Sequence, residues 1–246
     1  MKLSVIIPAY NEALNLPDTL GAFNKALSDA GIEHELLVVN DNSKDNTTEV
    51  IAELQKTIAS LRTVFNPPPH NGYGYAVRKG LENFSGDCVA IVMGDLSDSP
   101  ADLVKFYHTM QEHKVDCVFG NRFAKGGKVT DYPKNKLYLN RFFNNMLALV
   151  FKMSYNDTTN AFKLYSRQAI EGLKPFMSPH FNLTVELPLK AIVRGYTYAV
   201  VPNSWQNRKH GSSNLKIREM GSRYFFIVLY CLIEKYFSKG DFKKKW

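Results

Sequence analysis

Three short apolar runs, each followed by a carboxylate, constrain the fold of this chain more than any other feature. The runs are L-S-V-I-I-P-A-Y-N-E at 3–12, L-L-V-V-N-D-N-S at 36–43 and A-I-V-M-G-D-L-S at 90–97. Continuous Val, Ile and Leu runs separated by helical-length segments are typical of parallel strands covered on both faces, and such sheets bind ligands beyond the carboxyl ends of their strands. We therefore expect Glu12, Asp41 and Asp95 to meet in one crevice. Because crowded carboxylates repel one another, a hard cation such as Mg²⁺ or Mn²⁺ is expected among them, holding a phosphate ligand.

The apolar periodicity predicts repeated β-α units, and therefore an α/β fold with a mostly parallel sheet flanked by helices. A last helical pattern covers 214–237 and contains the apolar run 224–233. Ten apolar residues are too few to span a bilayer, so this amphipathic helix is either a core helix or an interfacial one. The predicted strands are 3–7, 35–40, 62–65, 87–93, 115–119 and 196–201, and the other predicted helices are 13–29, 47–60, 74–84, 100–112, 137–152 and 183–194. A D-T-T-N-A-F turn and a strand are predicted together over 157–165.

Charge is divided unevenly along the 246 residues, whose net charge is +8. Residues 1–120 hold nine Lys and Arg against sixteen Asp and Glu, a net charge of −7, whereas residues 121–246 hold twenty-two against seven, a net charge of +15. The acidic half suits metal and nucleotide binding, and the basic half favours an anionic partner such as a phosphate, a lipid surface or a nucleic acid. Solvated lysines are the alternative, but the basic residues cluster at 122–152 and 205–246.

The three cysteines have no C-x-x-C spacing, which argues against a disulfide framework or a zinc site. The first strand begins almost at the N-terminus, without the basic and apolar stretches of a secretory signal, so we expect a cytoplasmic protein with reduced thiols.

The turn after the first strand reads P-A-Y-N-E and lacks the G-x-G-x-x-G of a dinucleotide-binding fold. The segments V-I-I-P-A-Y-N-E and V-V-N-D-N-S-x-D-x-T resemble the start of the inverting family-2 glycosyltransferases, whose fold is called GT-A. The resemblance implies that a nucleotide-diphosphate sugar is bound by Pro8, Tyr10, Glu12, Asp41, Gly94 and Asp95. Gly72, in N-G-Y-G-Y-A at 71–76, is expected to let the backbone approach the nucleotide, and the alternative is a turn into a helix. Alternatively, Asn11 and Asn42 only form turns and Asp45 or Thr47 caps a helix, which is the reading we prefer for Asp45.

Three later motifs resemble the polyprenyl-phosphate glycosyltransferases, which include the dolichol-phosphate mannose synthases. The motifs are G-N-R-F-A-K-G-G at 120–127, D-T-T-N-A-F-K at 157–163 and W-x-x-R-x-x-G-x-S at 205–213. The resemblance implies transfer of a hexose, from GDP-mannose or a UDP-hexose, to a dolichyl or undecaprenyl phosphate. It also implies a catalytic domain over 1–213, with a nucleotide-sugar half (1–120) and an acceptor half (121–213), followed by a basic helix and tail over 214–246. The implied acceptor-phosphate residues are Arg122, Lys136, Arg141, Arg208 and Ser213.

The sequence departs from the family pattern at several of these positions. The D-x-D metal motif reads Met93-Gly94-Asp95, so Asp95 is left to hold the metal with Ser97, Asp98 and the pyrophosphate of the donor. Lys136 replaces an arginine of the family, and this replacement keeps the charge but loses the planar guanidinium fork. Ala161 and Lys163 replace the usual glycine and arginine of their turn.

The chemistry implied by the resemblance needs little base catalysis. A phosphate monoester has a second pKa of about 6 and is largely ionised at neutral pH, so its oxygen can attack the anomeric carbon directly. Asp95 and the metal are expected to stabilise the leaving group, Arg122 to hold the acceptor phosphate, and Asp157 to orient a substrate.

A lipid acceptor also requires access to a membrane. We expect peripheral binding of an anionic membrane surface, on its cytosolic face, through the C-terminal helix. The alternatives are a transferase for a soluble or glycan acceptor, and a catalytically weakened binding or scaffold protein, which Met93 suggests. A nucleic acid is not an expected partner, because the basic residues match no reading motif and the acidic half would repel the backbone.

Overall fold

The computed structural model describes residues 1–208 and 217–244. Its main feature is a seven-stranded sheet, and a two-stranded sheet lies beside it. The strands are β1 Leu3–Ala9, β2 His34–Asn40, β3 Leu61–Phe65, β4 Cys88–Ile91, β5 Cys117–Asn121, β6 Lys128–Thr130, β7 Lys163–Ser166, β8 Tyr198–Pro202 and β9 Ser204–Gln206. The helices are α1 Leu16–Asp29, α2 Thr47–Gln55, α3 Tyr73–Asn83, α4 Pro100–His113, α5 Lys134–Phe151, α6 Arg167–Gly172, α7 Leu183–Val193 and α8 Ile217–Phe237.

The large sheet has the strand order β3-β2-β1-β4-β7-β5-β8, and only β7 runs antiparallel to its neighbours β4 and β5. Side chains of β1 alternate between the two faces, since successive residues of a strand point to opposite sides. Val5 packs with α1 and α4, whereas Ile6 packs with α3 and α7. Burial on both faces explains the unbroken apolar run of β1. The predicted α/β fold, with a mostly parallel sheet flanked by helices and a C-terminal helix, is confirmed.

The predicted D-T-T-N-A-F turn and the strand that follows it are both present. Residues 157–162 form the turn, and the strand, β7, begins at Lys163. Asn160 stabilises this turn, because its side-chain oxygen accepts from the amide of Phe162 and its side-chain nitrogen donates to the carbonyl of Gly120. The prediction missed β6, which lies in the basic segment after β5, and β9, which follows β8. The two strands pair in parallel.

Helix α8 packs one face against the rest of the protein. Its residues Ile227, Val228 and Cys231 form a core cluster with side chains of α5 and α7. A buried ion pair joins the same helix to the end of α7, with Nε of Arg194 2.7 Å from Oε1 of Glu234. The core-helix alternative is therefore correct for this face. Within the described residues, no helix combines the length and apolarity that crossing a bilayer requires.

Candidate active site

Glu12 and Asp95 meet at the carboxyl end of the sheet, where Arg208 joins them. Nη2 of Arg208 lies 2.8 Å from Oδ2 of Asp95, and Nη1 lies 3.5 Å from Oε1 of Glu12. Burial raises the pKa of Glu12 and the charges of Asp95 and Asp45 raise it further, while Asn15 and Arg208 oppose this shift. The expected gathering of these two carboxylates is present. Its counter-charge in the structure is an arginine that the sequence had assigned to the acceptor phosphate.

Asp41 lies at the end of β2 and fixes the loop that precedes α3. Its Oδ1 accepts from the side-chain nitrogen of Asn66 at 2.6 Å, and its Oδ2 accepts from the amide of Gly72 at 2.8 Å. Gly72 has a φ of +127°, and a Cβ at this position would lie 2.6 Å from Nδ1 of His180. Glycine is therefore required here on both counts. Tyr10, at the end of β1, is exposed.

A tight turn carries the residues expected to bind a metal. Its two carboxylates close it, because Oδ1 of Asp95 accepts from the amide of Ser97 and Oδ2 of Asp98 accepts from the amide of Met93, both at 3.1 Å. Leu96, between them, is left-handed with a φ of 54°. Gly94 packs against the end of β1, where a Cβ would lie 3.4 Å from the carbonyl oxygen of Pro8.

These residues fit a divalent metal that is shared with a substrate. The hydroxyl of Ser97 is buried and has no hydrogen-bond partner among the residues that the structure describes, so an oxygen ligand is left unused beside Asp95. Burial raises the pKa of Asp98 to about 7, a cost that a cation would remove. No group of three or more His, Cys, Asp or Glu suited to a metal occurs in 1–208 or 217–244. Mg²⁺ is often held by one or two carboxylates together with substrate phosphates, which matches this ligand set.

Arg122 and Asp157 form a buried, two-pronged ion pair next to this turn. Nε and Nη2 of Arg122 donate to the two carboxylate oxygens of Asp157 at 3.0 and 2.7 Å, and the amide of Arg122 donates to Oδ2 at 2.9 Å. Burial alone would lower the pKa of Arg122, but Asp157 holds it above its ordinary value. The charge of Arg122 in turn lowers the pKa of Asp98, so the pair and the carboxylate turn interact electrostatically.

The other predicted acceptor residues lie in different surroundings. Arg141 of α5 donates to the carbonyl of Asn156 at 2.9 Å and lies 4.4 Å above the ring of Phe123. Burial and the charge of Arg122 lower the pKa of Arg141, although Asp157 opposes them. Lys136 is half-buried in the first turn of α5, and Ser213 lies outside the described residues.

An asparagine network supports the 157–160 turn and was missed in the sequence. Asn144 of α5 is fully buried, and its side-chain oxygen accepts from the hydroxyl of Thr158 at 2.6 Å. Its nitrogen donates to the hydroxyl of Thr159 at 2.9 Å. The available signal was the unusual density of asparagine at 140–145 and 156–160.

Comparison with known proteins decides the family. Residues 4–173 match the model of glycosyl transferase family 2. The chain belongs to this family. A dolichol-phosphate mannosyltransferase of Pyrococcus furiosus is 30% identical over 88% of this chain, which spans 60% of that relative's length. A polyprenol monophosphomannose synthase of Mycolicibacterium smegmatis is 28% identical over 86% of this chain and 80% of its own.

Solved structures of the same fold include glucosyl-3-phosphoglycerate synthase from Mycobacterium tuberculosis. Its complex with Mn²⁺, UDP-glucose and phosphoglyceric acid has a TM-score of 0.69 at 17% identity, covering 94% of this family-2 chain and 79% of the solved one. The free enzyme has a TM-score of 0.66 at 19% identity, covering 95% and 80%. The expected family and GT-A fold are thereby confirmed.

Proposed function

We propose that this family-2 protein transfers a hexose from a nucleotide-diphosphate sugar to the terminal phosphate of a polyprenyl phosphate, with inversion at the anomeric carbon. The observation that carries the proposal is the placement of a buried arginine, Arg122, within electrostatic reach of the carboxylate turn at 93–98. A leaving pyrophosphate and an incoming phosphate both need positive charge. A metal at the carboxylate turn would supply it for the pyrophosphate, and Arg122 would supply it for the phosphate. The names of the two curated relatives support the acceptor class.

The donor belongs on the acidic side of the crevice. The exposed ring of Tyr10 and the loop held by Asp41 and Gly72 are suited to the nucleoside, with Pro8 and Gly94 shaping the floor. A Mg²⁺ or Mn²⁺ ion would be held by Asp95, Ser97 and Asp98 and would neutralise charge on the leaving diphosphate. Glu12 and Arg208 border the same position, and the arginine exchanges its contact with Asp95 for the pyrophosphate when donor binds.

The acceptor phosphate belongs beside Arg122. Two nitrogens of this guanidinium are engaged by Asp157, whereas Nη1 makes no hydrogen bond within the described part of the chain. Nη1 therefore donates to the acceptor phosphate, and Asp157 keeps the guanidinium aimed. The phosphate is ionised and attacks without transferring a proton, so positioning supplies most of the rate. Lys136, Arg141 and Ser213 complete the binding of this anion.

A membrane surface is the proposed partner that presents the lipid. Helices α5 and α8 pack together through Phe143 and Tyr224, whose ring centroids are 5.4 Å apart. Their outer faces expose large apolar side chains, an arrangement that marks interaction surfaces, and the basic residues of this half favour anionic lipid. We place the protein peripherally on the cytosolic face of a membrane. The exposed side chains are Tyr138, Leu139, Phe142, Met146, Leu149, Val150, Phe225, Phe226, Leu229, Ile233, Tyr236 and Phe237.

The proposal is tested by a transfer assay in which the protein is given labelled GDP- and UDP-hexoses in turn, with Mg²⁺ or Mn²⁺. The label that moves into the organic phase is measured. Undecaprenyl or dolichyl phosphate should receive the label from one donor, and the corresponding unphosphorylated polyprenol should receive none. Equal labelling of both acceptors would contradict the proposed role of the phosphate.

A second candidate is transfer to a small soluble acceptor. The solved relative that binds UDP-glucose and phosphoglyceric acid on the same fold favours it. Phosphoglyceric acid is therefore included among the acceptors, and its labelling in preference to the lipid phosphate would establish the second function instead of the first.

A further inference from the structure

Lys163 is a buried lysine whose ammonium binds only backbone. Lys163 is 1% exposed. Its Nζ donates to the carbonyl of Thr158 at 3.0 Å, to that of Thr184 at 3.2 Å and to that of Asn160. No carboxylate of the described residues lies within ion-pair distance of it. A buried charge without a direct counter-ion is costly unless its hydrogen bonds compensate for the lost solvation.

The three carbonyl groups come from two parts of the chain. Those of Thr158 and Asn160 belong to the turn that begins at Asp157, whereas that of Thr184 belongs to the first turn of α7. In a regular helix the carbonyl of Thr184 would accept from the amide four residues later, but that residue is Pro188, which has no amide hydrogen. Lys163 satisfies the carbonyl that the proline leaves unpaired, and it thereby ties the turn to α7.

We propose that Lys163 is a positioning residue that holds the Asp157 turn against α7 and so keeps the Asp157–Arg122 pair aimed at the acceptor phosphate. The inference rests on the proposed function of Arg122 but concerns a residue that does not itself touch a substrate. The asparagine network anchors the same turn to α5, so Lys163 supplies the second of two anchors.

Lys163 must be protonated to donate to all three carbonyls and so tie the turn to α7. An ammonium has three hydrogens for three carbonyls, whereas a neutral amine has two and turns its lone pair toward the third oxygen. Burial and the charge of Arg122, against the opposing charges of Asp157 and Asp98, lower the pKa of Lys163 to about 7. Tyr73 of α3 and Tyr165 of β7 line a small cavity together with Lys163. The tie should weaken as pH rises through the pKa, and transfer should fall with it.

The test compares the full-length protein with Lys163→Met and Lys163→Arg, using exposed Lys56→Met as the matched control. Loss of a charged hydrogen-bonding group is expected to raise the acceptor KM or lower kcat by about tenfold or more in Lys163→Met, with donor affinity unchanged by calorimetry. Lys163→Arg should restore transfer and, because guanidinium stays protonated, extend it to higher pH. A pH profile of Lys163→Arg that coincides with the wild type, or a loss confined to donor affinity, would overturn the proposal.

Hydrogen exchange separates this proposal from the proposed function. The amide of Asn160 donates to the carbonyl of Asp157 at 3.0 Å within the turn, so its exchange reports the tie whether or not the lipid phosphate is the acceptor. Its protection factor, which corrects for the rise of intrinsic exchange with pH, should fall in Lys163→Met and in the wild type above neutral pH, and stay high in Lys163→Arg. Unchanged exchange in a folded Lys163→Met protein would overturn the positioning role. If Lys163→Met does not fold, the exchange and pH profile of Lys163→Arg decide.

Discussion

At the scale of single residues, the candidate site is a set of charges that neutralise one another. Arg208 neutralises Asp95, and Arg122 neutralises Asp157 with almost no exposure to water. A buried pair of this kind adds little stability over an apolar pair, but removing one partner leaves a buried charge and costs about 3–5 kcal/mol. The Arg122–Asp157 pair therefore gives rigidity, whereas the Arg208–Asp95 pair lies at the more exposed edge of the crevice, where we propose that Arg208 exchanges Asp95 for the pyrophosphate of the donor.

We expect Arg122→Ala to lower the free energy of unfolding by about 3–5 kcal/mol, because Asp157 would keep its charge without a counter-ion. Urea denaturation measures this loss. The double variant Arg122→Ala, Asp157→Asn should recover part of it, since no buried charge then remains unpaired. Additive losses in the double variant would show that the two side chains are not coupled.

Asp95→Asn should abolish transfer while leaving the unfolding midpoint close to that of the wild type. The substitution keeps the size of the side chain but removes the charge expected to hold the metal. Asp87→Asn, just before the start of β4, is the matched control and should keep full activity. Metal-dependent turnover that persists in Asp95→Asn would remove this residue from the catalytic centre.

At the scale of helices and strands, predictions from the sequence succeed where burial repeats and fail where side chains replace backbone pairing. The apolar runs of β1, β2 and β4 were recognisable because both faces of these strands are covered. The turn at 157–162 was recognisable from its residues, but the bonds that hold it were not, since they come from the side chains of Asn144 and Lys163. The apolar run of α8 did not distinguish core from surface, because one face is buried and the other exposed.

Glu35 gives one of these elements a pH dependence. Burial alone would raise its pKa, but hydrogen bonds from Ser4, Ser85 and Arg62 hold it below the ordinary value of 4.5. A lowered pKa means that the ionised form stabilises the fold, so stability is full above 4.5 and is lost as pH falls through the lower folded-state value. Glu35→Gln should be less stable at neutral pH and should show a shallower loss of stability in acid, measured by thermal unfolding across pH. An acid limb as steep as that of the wild type would assign the pH dependence to another group.

The exposed face of α5 and α8 is expected to bind anionic membranes. The protein should sediment with anionic liposomes at low salt, less so as ionic strength rises, and less after removal of 238–246, which carries lysines. Phe225→Ser with Leu229→Ser should weaken binding, whereas Leu14→Ser with Phe65→Ser, exposed apolar residues elsewhere, should not. Equal binding by the two double variants would move the membrane contact away from this face.

At the scale of the whole molecule, the acidic and basic halves of the sequence meet at one end of one sheet. The family, the fold and the gathering of Glu12 with Asp95 could be predicted, because strand ends in a parallel sheet share an edge. The contacts of Arg208 with both carboxylates could not, since they join residues more than a hundred positions apart. The single antiparallel strand, β7, was equally hidden, although it brings the Asp157 turn beside β5 and thus beside Arg122.

In the proposed reaction, the phosphate of a lipid attacks the anomeric carbon of the donor sugar. Nuclear magnetic resonance of the product of a short-chain polyprenyl phosphate tests it most directly. We predict that the phosphorus signal of the monoester is replaced by that of a phosphodiester, in which the hexose has the anomeric configuration opposite to that in the donor. Retained configuration, or free hexose with the monoester unchanged, would rule out the proposed reaction.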